Sequence, residues 1–247
     1  MNWRFQIIKS TYQIFPIILV AISSVCKSQD TDTTRFAVAE FFISPLVTVP
    51  AKEYRGVVNN NFGNLGYGLD AGMVFNPGKD KKPSAIHLGI DFGYSIYGIE
   101  KTGAFKTSFQ VYTIGALARL KPLRISGKIT PFVDGLVGAR IYNARTKVDK
   151  NLLDIALNTD APEVISSISD TGLCQELGIG FTTNPSPKKA VPGFTLRVLY
   201  QWNGSARYVV ANSITIDPNG IVSYQRGRAN LSMFAIQAGF SLTGTNR

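Results

Sequence analysis

The stretch that decides the fold is Ala85-Ile86-His87-Leu88-Gly89-Ile90-Asp91-Phe92-Gly93-Tyr94-Ser95-Ile96-Tyr97. Ile86, Leu88, Ile90, Phe92, Tyr94 and Ile96 fall in one phase of a two-residue repeat, and His87, Gly89, Asp91, Gly93 and Ser95 in the other. Successive side chains of a β-strand point to opposite sides. The pattern therefore predicts a strand with one bulky, oily face and one face of glycines and lone polar groups.

The same alternation recurs on both sides of this stretch. Before it, Leu65, Tyr67, Leu69, Ala71, Met73 and Phe75 oppose Gly66, Gly68, Asp70, Gly72 and Val74. Near 129–142, Ile129, Val133, Val137, Ala139 and Ile141 oppose Thr130, Asp134, Gly138 and Arg140. Near 173–182, Leu173, Leu177, Ile179 and Phe181 oppose Glu176, Gly178, Gly180 and Thr182. Near 194–203, Phe194, Leu196, Val198, Tyr200 and Trp202 oppose Thr195, Arg197, Gln201 and Asn203. Near 232–242, Phe234, Ile236, Ala238, Phe240 and Leu242 oppose Ala235, Gln237, Gly239 and Ser241. Two segments are less regular. In 108–120, Tyr112, Ile114, Ala116, Ala118 and Leu120 oppose Arg119; in 35–44 both faces are apolar and Glu40 is assigned inward. That makes eight strands, each close to the ~10 residues a tilted membrane strand needs.

The connections supply a direction. Those near 76–84, 121–129 and 183–193 are short and rich in Pro, Gly and Lys, as in Asn76-Pro77-Gly78-Lys79. Those near 45–64, 143–171 and 204–230 are long, and 99–107 is short. Short turns at one end and long loops at the other are the asymmetry of outer-membrane barrels. Within 204–230, Ser213-Ile214-Thr215-Ile216 and Ile221-Val222-Ser223-Tyr224 flank Asp217-Pro218-Asn219-Gly220, which reads as a hairpin. Residues 151–157, Asn-Leu-Leu-Asp-Ile-Ala-Leu, read as a short amphipathic helix.

Composition narrows the class. Charged residues make up 17% of the 247-residue chain, aromatics 11%, and glycine occurs 23 times. Soluble domains carry about a quarter charged residues. Yet no run approaches the ~20 apolar residues of a membrane helix. The first 28 residues place Arg4 and Lys9 before a largely apolar run, Ile14–Val25, followed by Cys26-Lys27-Ser28 and the polar stretch Asp30–Thr34. This is the layout of a secretory signal peptide cleaved after Ser28, which leaves residues 29–247 as the barrel. Ser23-Ser24-Val25 before Cys26 is a poor lipobox. Losing Arg4, Lys9 and Lys27 lowers the net charge from +10 to +7. The remaining basic residues lie scattered in turns and loops, with no stripe for nucleic acid. Cys174 is then the sole cysteine, so neither an internal disulfide nor a cysteine metal site is expected.

A soluble lipocalin-type barrel also alternates, but with its apolar face inward and charges outside. Here the apolar face is nearly free of charge in segment after segment. A water-facing surface built of glycine has no rationale, whereas small residues inside a narrow barrel leave room for a few large polar ones. Eight strands enclose a lumen that side chains just fill. A basic group facing lipid at the midplane costs ~2–4 kcal/mol. Glu40, Asp70, Asp91, Arg119, Asp134, Arg140, Glu176 and Arg197 are therefore assigned to the lumen as an ion-pair network that fixes register. Phe75, Tyr94, Tyr200, Trp202, Phe234 and Phe240 are assigned to aromatic girdles outside.

Gly89-Ile90-Asp91-Phe92-Gly93-Tyr94-Ser95-Ile96-Tyr97-Gly98, Thr130-Pro131-Phe132-Val133-Asp134-Gly135-Leu136-Val137-Gly138 and the closing Gly239-Phe240-Ser241-Leu242 resemble the small bacterial outer-membrane β-barrel proteins, broadly the barrel domain of OmpA. The resemblance implies an eight-stranded, antiparallel, up-and-down transmembrane β-barrel in the bacterial outer membrane. It assigns no activity. Such barrels often end on an aromatic residue, whereas this chain continues past Leu242 as Thr243-Gly244-Thr245-Asn246-Arg247 and leaves Phe240 for that role.

The residues for catalysis are not in place. Any Ser-His-acid site has to use the sole histidine, His87, which opens a strand at the short-turn end. Lipid-processing barrel enzymes work at the opposite, outer side, so His87 reads as an ordinary lumen histidine beside Asp91 or a neighbour. The glycines follow strand alternation and open no helix, so no dinucleotide or phosphate loop is present. No calcium loop occurs. No cofactor and no metal is expected. The expected role is structural or interactive, with outer-membrane lipid as one partner and a protein contact through 143–171 and 204–230 as another. A narrow channel or small-solute transporter is the runner-up, and a lipid-modifying enzyme ranks third.

Overall fold

A computed structural model describes residues 37–51, 54–56, 65–78, 84–102, 105–122, 129–148, 164–183, 192–210, 213, 215–216 and 222–245. The expected signal segment 1–28 and the expected helix at 151–157 lie outside them.

Eight strands form a closed antiparallel barrel: β1 (Ala37–Pro50), β2 (Gly66–Phe75), β3 (Ile86–Thr102), β4 (Phe105–Leu120), β5 (Ile129–Val148), β6 (Val164–Thr183), β7 (Gly193–Asn203) and β12 (Met233–Thr245). Each of these pairs with its neighbour along the chain, and β12 closes the circle against β1. Closure leaves the barrel sheet without a free edge. Between β7 and β12 the chain makes two smaller ribbons. β8 (Ser205–Val209) pairs with β11 (Arg226–Asn230), and β9 (Thr215–Ile216) pairs with β10 (Val222–Ser223). The second is the hairpin expected around residues 213–224.

The deciding stretch lies as its alternation requires. Ile86, Leu88, Ile90 and Phe92 are 44 to 63% exposed on the outside, whereas His87, Asp91 and Ser95 are buried inside. The outward positions of all eight strands form a continuous apolar belt, including Phe41, Ile43, Leu69, Met73, Ile114, Val137, Ile179, Val198, Ile236 and Phe240. From Phe41 to Leu242, none of the described outward residues of this belt is Asp, Glu, Lys, Arg or His. Its rings sort by level. Phe75, Phe194 and Phe240 lie toward the end holding both barrel termini. Tyr94 and Tyr112, with ring centroids 5.0 Å apart, lie toward the other, as do Tyr200, Trp202 and Phe234. The end with both barrel termini is called inner below, and the opposite end outer.

Strand lengths correct the expected loops. β1 runs on to Pro50, so the first outer connection begins at 51 instead of 45. β5 runs on to Val148 and β6 begins at Val164, so both ends of the expected 143–171 connection are strand. Above the belt the inner face of these strands stays apolar, with Tyr142, Ala144 and Ile168 buried, but the outer face carries polar residues, and the oily outer phase that marks a strand lower down is lost.

Candidate functional site

The site is the lumen. All eight ionisable residues assigned there are buried, and each makes an ion pair. Arg119, at the inner end of β4, holds Asp134 of β5 bidentately, with Nε to Oδ1 at 2.7 Å and Nη2 to Oδ2 at 2.8 Å. The two residues sit directly opposite in the β4–β5 register. Arg119 Nη1 donates to Glu40 Oε1 at 2.6 Å, and Lys121 Nζ pairs with the other oxygen of Glu40. Arg197, from β7, places Nε 2.9 Å from Asp134 Oδ2 and donates from Nη1 to Asp70 and Asp91 at 3.0 Å each. The result is one chain: Lys121, Glu40, Arg119, Asp134, Arg197, then Asp70 and Asp91. Fork-to-carboxylate contacts of this kind are strong and directional.

Two rings hold the guanidinium groups flat. Arg119 lies 3.8 Å from the Phe132 centroid and 4.7 Å from that of Phe42; Arg197 lies 4.7 Å from Phe42. Glycines make room for the rings. A Cβ at Gly72 would stand 2.3 Å from Phe42 Cζ, and one at Gly180 would stand 2.5 Å from Phe132 Cζ. Local alternation thus supplies a notch on one strand for a ring on another.

Arg140 forms a second cluster nearer the outer end. Its Nη2 donates to Glu176 Oε1 at 2.7 Å and its Nε to Thr113 Oγ1 at 2.8 Å. Gln201 Nε2 and the buried Cys174 thiol also reach Glu176 Oε1, at 3.0 and 3.2 Å. At the inner end, Asn76 organises the turn after β2. Its Oδ1 accepts from Gly78 N and Ser84 N, and its Nδ2 lies 3.4 Å from His87 Nε2.

Beyond Arg140 the chemistry changes. Tyr54, Tyr97, Phe109, Tyr142, Ile168, Leu231 and Met233 pack with Ala206 and Ala229 of the β8–β11 ribbon into an apolar cap. Tyr54 comes from the helical turn at 54–56 and meets Tyr97 edge-on at 5.5 Å. Phe109 stacks on Tyr142 at 6.1 Å. Thr48 Oγ1 donates to the Tyr97 hydroxyl at 2.7 Å. The ribbon is pinned to β6 by Arg207, whose backbone N–H and Nε reach Asp170 Oδ2 at 3.1 and 3.2 Å. Partial burial pushes the Asp170 carboxyl up, but the bonds from Arg207 and from Thr171 N–H outweigh it and hold the group below its ordinary value.

Sequence reasoning missed Lys121, which it left in the 121–129 turn. The side chain one step past β4 returns into the lumen and narrows the excess of carboxylates over cations from two to one. It also missed the inward rings Phe42 and Phe132 and the whole cap. The signal was present: Phe42, Phe132, Tyr97, Phe109 and Tyr142 all share the phase of the lumen ions on their strands. Among the described residues, no group of His, Cys, Asp and Glu has a metal-holding arrangement.

Fold and lumen together define the class: a closed eight-stranded antiparallel barrel with an apolar exterior and a filled, ion-paired interior. In fold the chain is similar to Ail, the attachment invasion locus protein of Yersinia pestis, at 13% identity, covering 83% of this chain and 99% of that one with a TM-score of 0.43. It is similar to Neisserial surface protein A at 13% identity, covering 83% and 97% with a TM-score of 0.46. A major outer membrane protein from Thermus thermophilus is similar at 11% identity, covering 83% and 99% with a TM-score of 0.49. No family model matches this chain, and no curated protein does.

Proposed function

We propose that the chain spans a bacterial outer membrane as a non-enzymatic structural and interaction barrel that displays its outer ribbon to a partner. The observation that carries this is the ion-free apolar belt around all eight strands. An exposed apolar surface of this extent is a membrane or partner interface. Its height fits hydrocarbon. The ten steps from Ile86 to Ile96, at ~3.4 Å each and tilted ~40°, rise about 26 Å, close to the ~25 Å band of outer-membrane barrels. Even strand number returns both barrel ends to the inner side, and Tyr and Trp ring the outer rim as interfacial residues do.

The filled lumen favours an anchor over a channel. The inner ion chain and the outer aromatic cap lie in series, so a solute has to displace both. His87, buried beside Asn76 at the inner end, is badly placed for work on outer-leaflet lipid. The ribbon offers the displayed surface. Ala206 and Ala229 face the cap, while Arg207, Arg226 and Arg228 are exposed, and Arg228 stands directly opposite Arg207. Arg207 has its counter-charge in Asp170, and the exposed Arg226 and Arg228 leave this face positive, so the partner it fits is acidic.

The test is gentle detergent extraction of the native protein and identification of what stays bound. A co-purifying partner lost on shortening 204–230 supports the reading. Conductance steps in planar bilayers that change in Arg140→Ala or Arg197→Ala would favour the channel, and a lipid-processing activity lost in His87→Ala would favour the enzyme.

A further inference from the structure

Between the inner ion chain and the cap lies a small cavity of about 10 Å³, whose walls include Asp70, Thr113, Arg140, Glu176, Gln201 and Gln237. Three polar atoms of these walls are shut off from solvent and have no hydrogen-bond partner: Arg140 Nη1, Gln201 Oε1 and Gln237 Oε1. Their residues are 1, 6 and 2% exposed. Buried polar groups of native proteins are almost always satisfied, by protein or by ordered water. The volume is close to the ~10–15 Å³ that one water requires.

We propose that this cavity is a binding site for a single water molecule, which accepts from Arg140 Nη1 and donates to Gln201 Oε1 and Gln237 Oε1. The donor count selects the ligand. One donor and two acceptors match a molecule with lone pairs and two O–H groups. A halide satisfies Arg140 alone and faces two carbonyl oxygens. A metal cation satisfies the amides alone and lies against a guanidinium. Three hydrogen bonds are the usual number for a buried water.

The site has an architectural consequence. β1 to β7 each place at least one ionisable residue in the lumen, but the inward phase of β12 offers Met233, Ala235, Gln237, Gly239, Ser241 and Thr243, none of them ionisable. The water joins Gln237 to Arg140 of β5 and Gln201 of β7. It is the latch by which the strand that closes the barrel enters the polar network of the others.

The test is a crystal structure of the refolded barrel at a resolution that shows ordered solvent, with one crystal grown in bromide. The expected result is a peak within 2.7–3.2 Å of all three atoms, without anomalous signal, and missing in Gln237→Met. Amides of β12 in that variant are expected to exchange with solvent about tenfold faster, as for one lost hydrogen bond. Should Gln237→Met fail to fold, a water-to-side-chain NOE at Gln201 and Gln237 in the unaltered protein decides the same point. A bromide peak, an Arg140 Nη1 turned onto a protein acceptor with no peak, or unchanged β12 exchange would each overturn the proposal.

Discussion

The inner half of the lumen is packed with ions and the outer half with rings, although one closed barrel encloses both. At the inner level Arg119, Asp134 and Arg197 form a chain of ion pairs among buried partners. At the outer level Tyr54, Tyr97, Phe109 and Tyr142 make an apolar core with one hydroxyl tied to Thr48. The difference teaches what each level has to accomplish. Where the wall carries the apolar belt, which the proposed function sets against hydrocarbon, the outside gives no driving force for a fixed register, and paired ions inside specify which residue meets which. Where the wall rises out of the belt, the strands and the β8–β11 ribbon need the apolar core of an ordinary soluble domain. On the reading proposed above, the molecule is a membrane barrel below and a small capped domain above.

The contrast predicts unequal responses to single changes. The largest is expected at Asp134, which serves two arginines. Asp134→Ala leaves Arg119 and Arg197 short of a counter-charge and should cost ~3–5 kcal/mol, read by denaturant unfolding from lipid vesicles. Replacing Arg119 and Asp134 together by apolar residues should recover much of that loss, because the desolvation of both ions is removed as well. In the cap, Phe109→Leu should cost less than ~2 kcal/mol, since it leaves an apolar group in an apolar site. Equal losses at the two levels would erase the comparison. Gly72→Ala sharpens it further. The added methyl pushes Phe42 off both guanidinium groups and should cost ~1–3 kcal/mol through overpacking.

The smallest effect concerns the ribbon. The Asp170 carboxyl is held below its ordinary value, so its contribution is present above about pH 4 and is lost as pH falls through the lowered value. Hydrogen exchange of the Arg207 amide, followed across that window, should accelerate in the acid range for the native protein but not for Asp170→Asn.

Much of this was legible in the chain because a two-residue period leaves little freedom. Once Ile86, Leu88, Ile90 and Phe92 share a face, Asp91 has to occupy the other, and the same holds for Asp70, Glu176 and Arg197. Even Glu40, in a segment apolar on both faces, lies inward as assigned. What escaped has physical reasons. Lys121 lies one residue past the end of β4 but keeps the inward phase of Arg119, so it is hidden only because 121–129 reads as a turn and the expected strand ends at 120. Phe42 and Phe132 look like outward residues by composition, but glycines on neighbouring strands give them room inside. The outer reaches of β5 and β6 carry Asn143, Arg145, Ser167 and Ser169 on their outer side, so no oily phase announced a strand.

The account depends on the oily faces of the strands touching lipid chains. Tryptophan quenching tests that directly, with Trp202 at the outer edge of the belt and an Ile90→Trp probe, in a Trp202→Phe background, at its middle. In vesicles with brominated acyl chains, the probe at 90 should be quenched most by bromines deep in the chain and Trp202 most by shallow ones, with neither reached by aqueous iodide. Quenching of the probe at 90 by iodide, with brominated lipid without effect, would mean that the belt faces water and that the barrel is a soluble one.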